Sequence, residues 1–393
     1  MAGGRSGGPE GRATPSLPRK ALVLQADAAC DLAARRAAEG AIVLAVDERA
    51  EAALEKAGIP HRRASAGRAT LSTDPAVRIW TRVWGRLPLV DGQSFRELAE
   101  WKGASLWWMG EAFFRTATEA PFCVEVVEWF LGLLETEDPA EVEASGLPAN
   151  DALLLSRACT VKGVLYHGPA SARPRTRPSA WEWQGRREAW AARWRGLRGG
   201  RPRGVPGVIA LVVEPGAESG ASALAAALGS EAQVVSLPDL LAGASRPARV
   251  LAGEGRGRLR ELWHRLRGSP GVHQSFTHRG VGFFDLAGAD LAGLLLARLP
   301  AAVRLYEAAA EWLHRTRPPA LVLAVPSRDD RRTLLAAARA AGVPSIVLRP
   351  GDGDEGERAD GGPQADHVLS GGAASDPGQV RSLLAARGRV GGP

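Results

Sequence analysis

Between Lys20 and Ile59 the chain reads KALVLQ, ACDLAARRAAEG, AIVLAVD and ERAEAALEKAGI: apolar run, helical pattern, apolar run, helical pattern. Few folds accommodate that order. A strand that is apolar on both faces must be covered on both faces, and strands joined through a helix lie parallel with a right-handed crossover. Gly40 stops the first helix where a left-handed residue is needed. The segment therefore opens a doubly wound α/β sheet.

The same alternation returns after residue 206. GVIALVVE, EAQVVSLPD, ALVLAVP and SIVLRP read as strands, and SGASALAAALG, DDRRTLLAAARAAG and DPGQVRSLLAARGR as helices. LRELWHRLRG reads as a helix, VHQSFTHRGVGFFDL as irregular, and a long helix is predicted from about Asp290 to Arg317. In the first half, residues 74 to about 136 read as helical, with Trp80, Trp84 and Leu87 on one face. A strand in EDPAEVEASG, a helix in NDALLLSRACTVKG and a strand in VLYHGP follow. The expected organisation is a disordered tail (1–18), a Rossmann-like domain (19–168), a linker (169–206) and a second Rossmann-like domain (207–393). The 393 residues are enough for two such cores.

The linker holds ten arginines against two glutamates and one helical stretch, with Trp183, Trp190 and Trp194 near one face. Such a segment suits either packing onto a domain or peripheral contact of residues 173–203 with an anionic membrane surface. Overall, 50 basic residues face 43 acidic ones, a net charge of +7. That is too mild and too local for a duplex-binding stripe, so no nucleic-acid partner is expected. Three scattered cysteines give no metal spacing and suit a reducing compartment. The reading is cytoplasmic, with at most peripheral attachment to the inner face of the membrane.

In open α/β sheets ligands bind beyond the carboxyl ends of the strands, here the loops after Gln25, Asp47, His167, Glu214, Pro326 and Pro350. The turn EPGAESGAS, with Gly216, offers backbone N–H groups to a phosphate, although Glu214 and Glu218 oppose an anion and an ordinary turn explains it too. Arg349 ends a strand where a guanidinium clamps a diphosphate, or pairs with the acidic loop that follows. QSFTHRGVGFFD gathers His273, His278, Arg279 and Asp285, a histidine base with a carboxylate at short range. His167, at another strand end, is a second candidate base or a simple loop cap.

Two segments carry a family resemblance. One is the Asp91-Gly92 turn followed by SFRELAEWKGASLWWMGEAFF and EDPAEV; the other is RGVGFFDL, RPPALVLA and RRTLLAAARAAGVPSIVL. Together they resemble surface-carbohydrate biosynthesis proteins of the GT-B glycosyltransferase type. Trp107, Trp108 and Glu111 match the first family motif; Arg332, Ala337, Ala338, Gly342, Pro344 and Leu348 match the second. Where the family has Gln-His-Gly, this chain has Arg349-Pro350-Gly351, and Ser327 stands where an acidic residue is usual.

The resemblance implies two Rossmann-like domains facing each other across a cleft. It implies transfer of a sugar from a nucleotide-sugar to a carbohydrate or lipid-linked acceptor, without cofactor or metal. The first domain would be the acceptor side and the second the nucleotide-sugar side. Arg279, Arg332, Arg349, Gly351 and Gly216 would hold the donor, and Glu111, His167 or His278 would serve as base. In a helix from Leu106, Trp107, Gly110, Glu111 and Phe114 share one face. The motif departures leave open a non-catalytic scaffold in the same pathway, and the architecture also fits a nucleotide-sugar epimerase.

Overall fold

The computed structural model describes residues 19–25, 30–63, 75–116, 119–169, 205, 207–213, 218–325, 328–349, 364–370 and 376–388. The proposed tail and nearly all of the Arg/Trp-rich linker lie outside them. In chain order the longer elements of the first half are β1 (Lys20–Leu24), α1 (Cys30–Ala38), β2 (Ile42–Ala45), α2 (Glu48–Lys56), β3 (Arg62–Arg63) and α3 (Pro75–Trp84). They continue with α4 (Trp107–Thr116), α5 (Glu119–Glu137), β4 (Glu141–Ser145), α6 (Ala149–Lys162) and β5 (Leu165–His167). The second half has β6 (Ile209–Val213), α7 (Glu218–Leu228), β7 (Ala232–Ser236), α8 (Arg246–Arg267) and α9 (Phe284–Thr316). It ends with β8 (Leu321–Ala324), α10 (Arg328–Ala340), β9 (Ser345–Arg349), β10 (His367–Ser370) and α11 (Pro377–Gly388).

Two parallel five-stranded sheets result, so the α/β class expected from the sequence is what the chain adopts. The first runs β3-β2-β1-β4-β5, with Leu22 opposite Val43 on one side and Glu143 on the other. The second runs β7-β6-β8-β9-β10, with Leu211 between Val234 and Val322. In both, the first strand is central and the chain winds outward to either side of it. Leu22, Leu24, Val43 and Leu54 form the heart of the first core; Leu211, Leu224, Val322 and Ile346 form that of the second.

The described residues divide into two compact units that are not contiguous in sequence. The first draws on Met1–Leu71, Val124–Pro174 and His278–Val281; the second on Ser72–Cys123, Arg175–Thr277 and Gly282–Pro393. Residues 72–123, read from the sequence as part of an N-terminal domain, thus group with the C-terminal sheet. Aromatic packing explains this. Trp84 is fully buried, with ring centroids of Phe114, Phe95 and Phe276 at 4.9, 5.2 and 5.3 Å. Its indole N–H donates to Ser275 Oγ at 2.9 Å. Edge-on and tilted rings of this kind add attraction beyond the area they bury.

The stretch expected to be helical from 74 to 136 is interrupted by two hairpins, Pro88–Val90 with Gln93–Ser94 and Glu100–Trp101 with Ala104–Ser105. A third joins Thr277–His278 to Val281–Gly282. Each turns on a residue followed by glycine, both with positive φ: Asp91-Gly92, Lys102-Gly103 and Arg279-Gly280. That is the type I′ geometry, whose twist matches paired strands and whose second position favours glycine.

Helix α9 starts earlier than expected and widens into a π turn at Leu294–Arg298. Pro300 supplies the cause, since it has no N–H to return to the Leu296 carbonyl. By length and composition α9 would be able to cross a membrane, but two-thirds of its most apolar window is buried in the protein. Strand β10 went unread in the sequence.

Candidate functional site

In the second sheet the winding reverses between β6 and β8, and the crevice beyond their carboxyl ends is where such sheets take ligands. The loops 214–217 and 326–327 lie outside the described residues. What is described there is the start of α10 and its surroundings. Leu334, Leu335, Ala337 and Ala338 bury the inner face of α10, which fixes where its first turns point.

Those turns carry Asp329, Asp330, Arg331 and Arg332. Arg331 Nη1 donates to the Val325 carbonyl at 3.1 Å, bridging the end of β8 to the helix. Arg298, from the π turn of α9, meets Asp329 at 3.2 Å. Arg332 is 3% exposed and lies over the Trp108 ring, with its guanidinium carbon 5.7 Å from the centroid. Arg331 and Arg298 thus bring two guanidinium groups to a helix N-terminus, whose own dipole is positive, while Arg332 is turned against Trp108. Asp329 and Asp330 offset part of that charge.

The other residues nominated from the sequence are dispersed. His278 and Arg279 belong to the first unit, at the third hairpin's turn. His278 Nε2 lies 2.7 Å from Glu128 Oε2, and Arg279 pairs with Glu128 at 3.1 Å and with Glu135 at 2.5 Å. Lys162 also bonds Glu135 at 2.7 Å, which, with Arg279, holds the Glu135 carboxyl below the usual carboxylate range.

His167 ends β5, an exposed edge strand, with Nε2 4.0 Å from Glu141 Oε2. Glu111 lies on α4, but its side chain is outside the described residues, as is that of Arg349 at the end of β9. Gly216 and Gly351 also lie outside them. Arg332 is therefore the nominated donor-site residue whose side chain is described in the helix that follows β8.

A cavity of about 220 Å³ opens at the opposite edge of that sheet, among Leu335, Arg339, Val343, Ser345, Gln364 and Asp366. Asp366 accepts from both the backbone N–H and the hydroxyl of Ser345, at 2.8 and 3.0 Å. This ties the starts of β9 and β10 together at the amino edge, away from the usual ligand side.

Two buried carboxylates of α9 were missed in the sequence. Asp290, on α9, accepts from the backbone N–H of Glu119 at 2.6 Å and so caps the start of α5. Burial pushes its pKa up to about 7; the N–H groups of Glu119 and Ala120 oppose that rise, and the Glu119 charge adds to it. Glu307, also on α9, accepts from the Trp101 indole N–H and from Lys102 Nζ, both at 2.8 Å. An acid set among small and apolar helical neighbours was the available signal for each.

Comparison of the chain with family models, curated proteins and solved structures finds no match.

Proposed function

We propose that the chain is a GT-B-type glycosyltransferase of surface-polysaccharide assembly, with the nucleotide-sugar taken at the carboxyl edge of the second sheet. The observation that carries this reading is Arg332, buried against Trp108 in the first turns of α10, the turns that also carry Arg331 and the Asp329 partner of Arg298. A desolvated guanidinium is a strong partner for a diphosphate, because its planar fork matches two oxygens and it stays charged when buried. In sugar transfer the leaving diphosphate gains charge as the glycosidic bond breaks. Fixed cations already in place stabilise that charge without reorganising.

Arg332 and Trp108 come from the two segments that carry the family resemblance, and they meet in one unit. Both sheets support the reading at the level of architecture.

A second reading is a non-catalytic binding subunit of the same machinery. It is favoured by the engagement of His278 and Arg279 with Glu128 and Glu135, an arrangement suited to holding the third hairpin against α5. Incubation with UDP-, GDP-, CMP- and TDP-sugars separates the two. Release of free nucleotide supports the transferase, and binding without release supports the binding subunit. Neither binding nor release removes both.

A further inference from the structure

The first unit holds a set of side chains that none of the preceding chemistry uses. Glu51 and Glu55 lie one turn apart on α2, and His61 stands just ahead of β3. One ligand atom from each falls within 4.8 Å of the others. We propose that these three residues bind a first-row divalent cation of the zinc class, which fastens the edge strand β3 to α2.

The donor set fits that class. One imidazole nitrogen with two carboxylates suits zinc and its neighbours, whereas magnesium and calcium take oxygen donors. Donors about 2.0–2.2 Å from a common zinc ion lie roughly 3.3–3.6 Å apart in a tetrahedral arrangement. Small rotamer changes on the two glutamates therefore close the present spacing.

The backbone sets the tautomer of the histidine. His61 Nδ1 lies 2.9 Å from the Ile59 carbonyl oxygen. A carbonyl only accepts, so Nδ1 carries the proton and Nε2 presents the lone pair. A backbone carbonyl behind the ring is a common way for proteins to orient a ligating imidazole.

The loop that brings His61 back to the helix is fixed independently. Gly58 N–H donates to Glu55 O and Ile59 N–H to Leu54 O, each at 3.0 Å, and the Ile59 side chain is buried. Gly58 has a φ of 66° at this reversal. Asp47 caps the other end of the helix by accepting from Ala50 N–H at 2.8 Å.

Two carboxylates at i and i+4 repel each other unless a cation lies near. Part of that role falls to Arg63, whose Nε is 3.3 Å from Glu51 Oε2 and whose Nη2 is 3.4 Å from Glu48 Oε1. Glu51 keeps its second oxygen for a metal. The site sits at the amino end of β3, away from the sheet's ligand edge, so the cation acts as a staple rather than a catalyst.

The test uses the full chain stripped with chelator and titrated with zinc chloride near pH 7, read by calorimetry and by melting temperature. The expected result is one zinc per chain and a rise in melting temperature. His61→Ala and the Glu51→Gln/Glu55→Gln pair should weaken binding by about tenfold or more and abolish the rise. His61→Ala removes no buried core residue, so it reports on the site with the fold intact. Absence of zinc binding by the wild type overturns the proposal. So does binding that the variants leave unchanged, as zinc held by the cysteines would give.

Discussion

Lys102 Nζ lies 2.8 Å from Glu307 Oε2, joining the turn of a two-residue hairpin to the longest helix of the second unit. The neighbouring Trp101 indole donates to the other oxygen of the same carboxylate, also at 2.8 Å. The hairpin thus delivers two donors to one buried acid. Glu307→Ala leaves the Trp101 N–H buried without an acceptor and the half-exposed Lys102 to solvent, at an expected cost of about 2–3 kcal/mol. Glu307→Gln retains one acceptor and should cost about 1–2 kcal/mol. Urea unfolding of the two variants measures the difference, and equal losses would contradict it.

Asp290 makes stability depend on pH. Its folded pKa, about 7, lies above the ordinary carboxyl value of 3.8 because burial disfavours the charged form. Between those values the folded protein holds a proton that the unfolded chain has released. The contribution of this group is therefore fully present below about pH 4 and is lost as pH rises toward 7. The slope approaches about 1.4 kcal/mol per pH unit in mid-window. Asp290→Asn keeps an acceptor for Glu119 N–H and removes the titration. Unfolding free energies from pH 4 to 8 should flatten in the variant by that amount.

Gly85 follows α3 directly and has the Trp107 ring against it, so an added Cβ would overlap the indole. The Trp107 ring is itself held by Trp84 at 5.8 Å and Phe95 at 5.7 Å, which leaves it nowhere to move. Gly85→Ala should cost about 1–3 kcal/mol. Thermal unfolding checks this, and a variant as stable as the wild type would contradict a ring fixed in place.

Much of the framework was legible because buried parallel strands leave an unmistakable record. LVL in β1, VLA in β2 and IALVV in β6 are apolar on both faces, and no other element asks for that between helical patterns. Strand β10 escaped because HVLS alternates in burial, with Val368 exposed and Leu369 buried, and follows a long polar stretch of sequence. The home of Trp80 and Trp84 was not legible either. Their spacing states that they bury a face, but the partners Phe276 and Phe283 lie some 190 residues or more along the chain.

The candidate site was legible in part for the same reason. Arg332 was nominated only through its match to the family motif, and nothing local announced that Trp108 would lie beneath it. His278 and Arg279 looked free in the sequence, because Glu128 and Glu135 reach them from a helix about 145–150 residues earlier.

The most direct measurement of the account is calorimetry of the full chain with UDP, GDP, CMP and TDP, repeated on Arg331→Ala and Arg332→Met. The methionine keeps apolar bulk against Trp108 while removing the charge, and melting temperatures establish that both variants are folded. One nucleotide should bind the wild type with a single site, and each variant should bind it about tenfold or more weakly, as expected when a charged diphosphate contact is lost. Failure of all four nucleotides to bind, or folded variants that bind as the wild type does, would contradict a donor site at the second sheet's carboxyl edge.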